Sequence, residues 1–252
     1  MHLPDGVISA TPLTIGLGLS GLAGVAIALR ESHFKRAGDM AWTGTIAAFV
    51  LAIQAVNVPL VPGASAHALG ATLAALTLGP ARAVLALFAV LLIQALLFAD
   101  GGITVLGINA LTIAILPVLA VEAFRRLFAR LPRGLELSAV AGTLTGNLAA
   151  AAVLALALVD GAAAPVTLTA GWLVGVHALS GVLEGVLTAL AVRRLHVRAP
   201  ALLERAVTPP EPASGSYRTA AVALVVVLAL LPFASEAPDA LQVVLSRLQA
   251  EP

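Results

Sequence analysis

Met1 and His2 place an α-amine, a peptide nitrogen and an imidazole within two residues, ahead of the first apolar stretch. Four further imidazoles follow at His33, His67, His177 and His196. The first two residues together make a chelate. The amine, with a pKa near ~8, gives up its proton to a metal around neutral pH. The peptide nitrogen of His2 is the next donor, and Nδ1 of the ring closes a second chelate ring on the same ion, so three nitrogens lie in one plane. A deprotonated amide is a strong-field ligand that nickel(II), copper(II) and cobalt(II) support, and four planar nitrogens favour copper or nickel. This chemistry needs a free amine on Met1. Histidine is a large second residue, which disfavours removal of the initiator methionine, and "MHLPDGVISATPLTIG" has neither a basic n-region nor a clear small-x-small cleavage site. Met1 is therefore expected to stay in place.

Position narrows the search for a fourth nitrogen. His33 in "RESHFKR" and His196 in "RRLHVRAP" belong to basic loops, where solvated or headgroup-facing roles fit. His177 lies within an apolar stretch with Glu184 seven residues on, so the two share a helix face. Ionisable groups at membrane depth are costly and usually functional, and both a helix-packing hydrogen bond and a transport role suit this secondary polar pair. His67 stands in "NVPLVPGASAHALGATLAALTLGP", where Pro59, Pro62 and Gly63 forbid a regular helix until just before the histidine.

The elements that hold these groups are membrane helices. Hydrophobic residues make up 60% and charged residues 11% of 252 positions, and mean hydropathy is +1.03, far from a soluble domain. A span needs about 20 apolar residues. Eight candidate helices are predicted, over residues 12–29, 40–56, 67–78, 81–98, 103–121, 137–159, 166–192 and 217–233. With the N-terminus outside, every Lys and Arg except Arg247 falls in a cytoplasmic loop, which predicts an N-out, C-out, all-α bundle and requires the short third helix. The outer loops carry Asp5, Asp100, Asp160, Glu236, Asp239 and Glu251, an acidic mouth that would concentrate cations. Residues 1–195 are predicted as the seven-helix body, 196–216 as a cytoplasmic linker rich in Pro, Ala and charge, and 217–252 as an appended helix with an outer segment.

Twelve residues of helix from Gly79 back to His67 place that ring ~18 Å above the inner boundary and ~12 Å below the outer one. Irregular backbone at such depth must be covered by protein or line a water-filled cavity, so residues 57–66 are expected to line an outward-facing pocket with His67 as its floor. The eleven residues before Pro12 are long enough to fold back into it.

Other chemistries are poorly supported. There is no Gly-x-x-x-x-Gly-Lys-[Ser/Thr] loop and Lys35 is the only lysine, so the chain is not expected to bind ATP. There is no His-Glu-x-x-His, and no cysteine; methionine occurs only at positions 1 and 40, which argues against a copper(I) path. A passive cation channel would need polar groups along several helices. An intramembrane metalloenzyme using His177, Glu184 and His67 would need an open coordination position beside an acid or base.

"MHLPDG" at the start, the segment around His67, "IQALLFADGGITVLGINALTIA" from Ile93 and "HALSGVLEGVLTALAV" from His177 together resemble the CbiM/NikM family, over roughly residues 1–192. These are the substrate-capture components of energy-coupling-factor transporters for cobalt and nickel. The resemblance implies a planar site made by the Met1 amine, the His2 amide and ring, and a ring nitrogen of His67. It also implies nickel or cobalt as transported substrate, and partners in the form of a membrane-embedded coupling subunit and two ATPases, with a small separate accessory membrane protein in some systems. A multi-pass location in a bacterial or archaeal cytoplasmic membrane follows, with no enzyme activity of its own and no nucleic-acid partner. Where the family usually reads Gly-Thr-Ser-Gly-His, this chain has Gly63-Ala64-Ser65-Ala66-His67, so the threonine hydroxyl is lost. Asn57, Ser65 and Asn109 are nominated to support the ligands, with Asp5 steadying the N-terminal turn. Pro238-Asp239-Ala240-Leu241-Gln242 resembles the Pro-Asp-Gly-Leu-Glu segment of the accessory component, with Gly and Glu both changed.

Overall fold

The computed structural model describes residues 2–32, 37–62, 64–204 and 238–250. Helix α1 (Pro12–Glu31) starts at a reciprocal cap between Thr11 and Thr14, with Pro12 at the first helical position, where a missing N–H costs nothing. Then come α2 (Ala37–Gln54), β1 (Val58–Val61), β2 (Ala64–Ala66), α3 (Ala71–Leu78) and α4 (Pro80–Leu97). Helix α5 (Leu106–Asn109), a six-residue π stretch (Ala110–Ile115) and α6 (Leu116–Leu127) form one continuous span. The π stretch precedes Pro117, which has no N–H to carry the regular ladder onward. Helices α7 (Gly134–Gly161), α8 (Val166–Arg198), α9 (Ala201–Glu204) and α10 (Ala240–Ala250) complete the described chain.

Five helical runs are long and apolar enough to cross a membrane: 12–31, 80–97, 106–127, 134–161 and 169–198. Within α2 the apolar run Asp39–Gln54 is shorter than these five. The candidate at 217–233 lies outside the described residues. Helix α8 continues to Arg198, so the predicted body–linker boundary at 195 falls within its last turn.

Two expectations around the third helix are corrected. The segment before it is a short antiparallel hairpin, with Val58 opposite Ala66 and Pro59 opposite Ser65. Pairing satisfies part of a backbone that the prolines keep out of a helix. Helix α3 begins only at Ala71, so His67 lies in the turn ahead of it instead of in its first turn.

Close packing brings the N-terminal segment to the hairpin. A Cβ on Gly21 would overlap the carbonyl of Gly107, so the backbones of α1 and α5 touch. Two clusters of buried apolar side chains result. One is built mainly from α3, α4, α6 and the π stretch. The other joins Leu3, Ala64, Ala66 and Leu173 with Leu241 and Val244 of α10, and it underlies the histidines.

Candidate metal site

The site is the meeting point of four connections: the N-terminal segment, the hairpin with its following turn, the α4–α5 loop and the start of α10. His2 and His67 are both 6% exposed. Their rings are parallel within 6°, with centroids 5.6 Å apart. With a metal–nitrogen bond of ~2 Å on each side, two rings sharing one ion have centroids no more than roughly 6 Å apart, so the pair is within reach of a common ion.

The α4–α5 loop holds the N-terminal segment in place. Asn109 accepts from the Leu3 N–H at 2.9 Å and donates to the Leu3 carbonyl at 3.0 Å, a two-point match to one residue's backbone. Asp5 accepts from the N–H groups of Ile103 and Thr104 at 3.0 and 2.8 Å. The Thr104 contacts hold its carboxyl below the usual range. Gly101, at φ +97°, lies so close that a Cβ there would sit 3.0 Å from Cβ of His2. A Cβ on Gly102 would come within 2.5 Å of the Asp5 nitrogen. The "ADGG" run is therefore a cradle for residues 2–5.

The electrostatics favour proton-free rings. Burial is the main cause that lowers the pKa of His2, and it pushes His67 down to about 3. Asp100 loses solvation on burial, which works against its charge. The hydrogen bond from His2 is the main cause that outweighs this and holds it at about 2. Nδ1 of His2 lies 3.0 Å from Asp100 Oδ1, and Nε2 is buried without a hydrogen-bond partner among the described residues. The ring thus donates through Nδ1. Sequence reasoning expects Nδ1 to close the chelate, so that arrangement requires the ring to turn about its Cβ–Cγ bond and leave Asp100.

The remaining predicted residues separate. Ser65 is fully buried and its N–H donates to the Pro238 carbonyl at 2.8 Å, which seats the α10 segment against β2. Asn57 opens the hairpin, with Oδ1 buried and unpartnered among the described residues. His177 donates from Nδ1 to the Leu173 carbonyl of its own helix at 2.7 Å. Glu184 accepts from the N–H groups of Leu69 and Gly70. These two residues therefore engage different partners. Met1 lies outside the described residues. Among them, no three His, Cys, Asp or Glu side chains converge as a metal site.

Four contributors were missed. Asp100 and Asp239 read in the sequence as outer acids, and Gln54 and Gln94 drew no expectation. Asp239 is buried, and its charge acts on both rings. It also exchanges two 2.9 Å hydrogen bonds with Gln242 to start α10, a capping box that the Asp-x-x-Gln spacing announces.

The helices and this loop cluster define a multi-pass membrane protein whose buried imidazole pair sits at one end of the bundle. Residues 2–202 match the model of the CbiM family, described as the cobalt uptake substrate-specific transmembrane region, and the chain belongs to that family. It is 37% identical over 193 residues to a putative metal transport protein of Haloquadratum walsbyi, covering 75% of this chain and 87% of that one. It is 35% identical over 216 residues to the putative fused nickel transport protein NikMN of Archaeoglobus fulgidus, covering 83% and 70%. With the cobalt transport protein CbiM of Sorangium cellulosum it shares 33% over 215 residues, covering 81% and 95%. A crystal structure of a truncated transition metal transporter superposes with a TM-score of 0.65 at 29% identity, covering 77% of this chain and 98% of that one. The chain is a cobalt/nickel transport component, and its relatives carry the names of transport proteins.

Proposed function

We propose that this chain captures nickel(II) or cobalt(II) from the outer side of a bacterial or archaeal cytoplasmic membrane, as the substrate-specific component of an energy-coupling-factor importer. The Met1 amine, the His2 amide and ring and a ring nitrogen of His67 form a planar four-nitrogen site. The observation that carries this reading is the parallel, buried His2–His67 pair. Two imidazoles alone hold an ion weakly, and the N-terminal nitrogens supply the rest. Asp100 holds the His2 ring before loading, Asn109 and Asp5 fix the segment behind it, and Ser65 anchors the hairpin that carries His67. Residues 238–250 act as a fused accessory segment on the outer face. The basic residues at one end of the helices and the acids at the other support an N-out, C-out orientation.

Uptake takes its energy from other chains: a membrane-embedded coupling subunit and two ATPases. The channel alternative finds little support, because the hydroxyls of Thr77 and Ser138 bond carbonyls of their own helices and Thr143 is engaged by both Ala139 and Thr72. Liposomes carrying this chain alone are expected to accumulate no metal, and accumulation is expected only with the coupling subunit, the ATPases and internal ATP. Metal flux without those partners would end the importer reading in favour of a channel.

Proton competition follows from the site's burial. Both imidazoles are proton-free at neutral pH, and His67 remains so down to about 3. Between pH 5.5 and 7.5 the amine and the amide each give up one proton to the metal, and burial reduces the share of the rings in that competition. Affinity is expected to fall roughly 100-fold per pH unit over that window. Titrations at stepped pH read the slope, and a flat response contradicts amine and amide ligation.

A further inference from the structure

We propose that Glu184 is a positioning residue for metal capture: its carboxylate clamps the turn after His67, so that the imidazole meets the ion in a fixed orientation. This rests on the capture site proposed above. Glu184 lies deep in α8 and is 6% exposed. Its Oε2 accepts from the Leu69 N–H at 3.0 Å and its Oε1 from the Gly70 N–H at 2.8 Å. These two donors are consecutive backbone groups at the start of α3, where no helical carbonyl precedes them to accept. Gly70 adopts φ +72° to present its N–H, and a Cβ there would press on Val50 at 2.9 Å.

The same turn is held from the other side. The Leu69 carbonyl accepts from Gln54 Nε2 at 2.8 Å, and Gln54 Oε1 accepts from Gln94 Nε2 at 2.9 Å. The Gln94 carbonyl accepts from the Asp100 N–H at 3.0 Å, and the Asp100 side chain meets His2. One line of hydrogen bonds therefore joins Glu184, through the turn that carries His67, to the second histidine. An acid at membrane depth is costly. Here it is matched to two converging N–H donors, which a neutral amide cannot satisfy because its NH2 would face one of them. The Asn147 side chain of α7 also bonds the carboxylate, so α7 helps to hold the acid in place while its two oxygens accept from the turn.

A clamped turn lowers the ordering cost of binding. Its loss weakens most the ion that demands a planar set, because that geometry tolerates the least displacement of the fourth nitrogen. The test is Glu184→Gln in the full chain with its native N-terminus, titrated with nickel(II) and with zinc(II). Nickel affinity is expected to fall about ten- to a hundredfold, the usual range for losing a group that orients a ligand, and zinc affinity by less, so that the nickel-to-zinc preference shrinks. General loosening of the fold would weaken both ions by one factor. Equal weakening, or wild-type nickel affinity and preference, overturns the clamp. If Glu184→Gln does not yield folded protein, Gln54→Leu, which removes the hold on the Leu69 carbonyl together with the bond from Gln94, is read by the same criteria. A variant with one residue added before Met1 serves as reference. Nickel binding that survives the extension ends the capture-site reading. Binding lost with the extension but unchanged in Glu184→Gln ends the clamp alone.

Discussion

His67→Ala is expected to remove high-affinity nickel or cobalt binding while the protein still folds and inserts. Four-ligand structural sites contribute ~10–16 kcal/mol. A quarter of that, roughly 2.5–4 kcal/mol, corresponds to a rise in Kd of roughly 10²–10³. The fold tolerates the change because the ring lies outside α3, in the turn between hairpin and helix, and makes none of the hydrogen bonds from Glu184 and Gln54 that hold that turn. Isothermal titration, alongside thermal unfolding of the same sample, separates the two effects. Wild-type affinity in a folded His67→Ala protein would remove this residue from the ligand set.

The span boundaries were largely legible in the sequence because apolar length and its punctuation by charge, Gly and Pro are local signals. The predicted helices at 81–98 and 137–159 lie within three residues of the observed ones, and that at 166–192 starts where α8 starts but stops six residues short of its end. His67 was legible as exceptional for the same reason, since Pro59 and Pro62 announce non-helical backbone ahead of it. What the breakers do not announce is where that backbone finds its hydrogen bonds. The hairpin and the late start of α3 depend on partners distant in sequence: Pro238 on Ser65, and Glu184 on Leu69 and Gly70. His177 and Glu184 share a helix face, which periodicity gives correctly, yet they serve different groups, and only the packing of α8 against α3 decides that. Asp100 was hidden among outer acids because nothing local distinguishes an acid facing solvent from one facing a histidine.

The second large effect concerns the amine. If Met1 supplies it, one residue added before Met1 converts the amine into an amide and displaces His2 from the chain position at which both chelate rings close on one ion. Every side chain remains. The bundle remains as well, because the addition precedes α1 and lies outside the spans. The loss should match or exceed that of His67→Ala, since the amine nitrogen is removed and the amide and ring can no longer act together with it.

The most direct measurement is therefore metal stoichiometry and affinity on paired samples of the full chain, one with a tag left at the C-terminus and the other with a tag left before Met1. The account predicts one tightly held nickel or cobalt ion in the first sample and none in the second. One ion held with equal affinity in both would show that the amine is not a ligand, and the planar four-nitrogen site would be wrong.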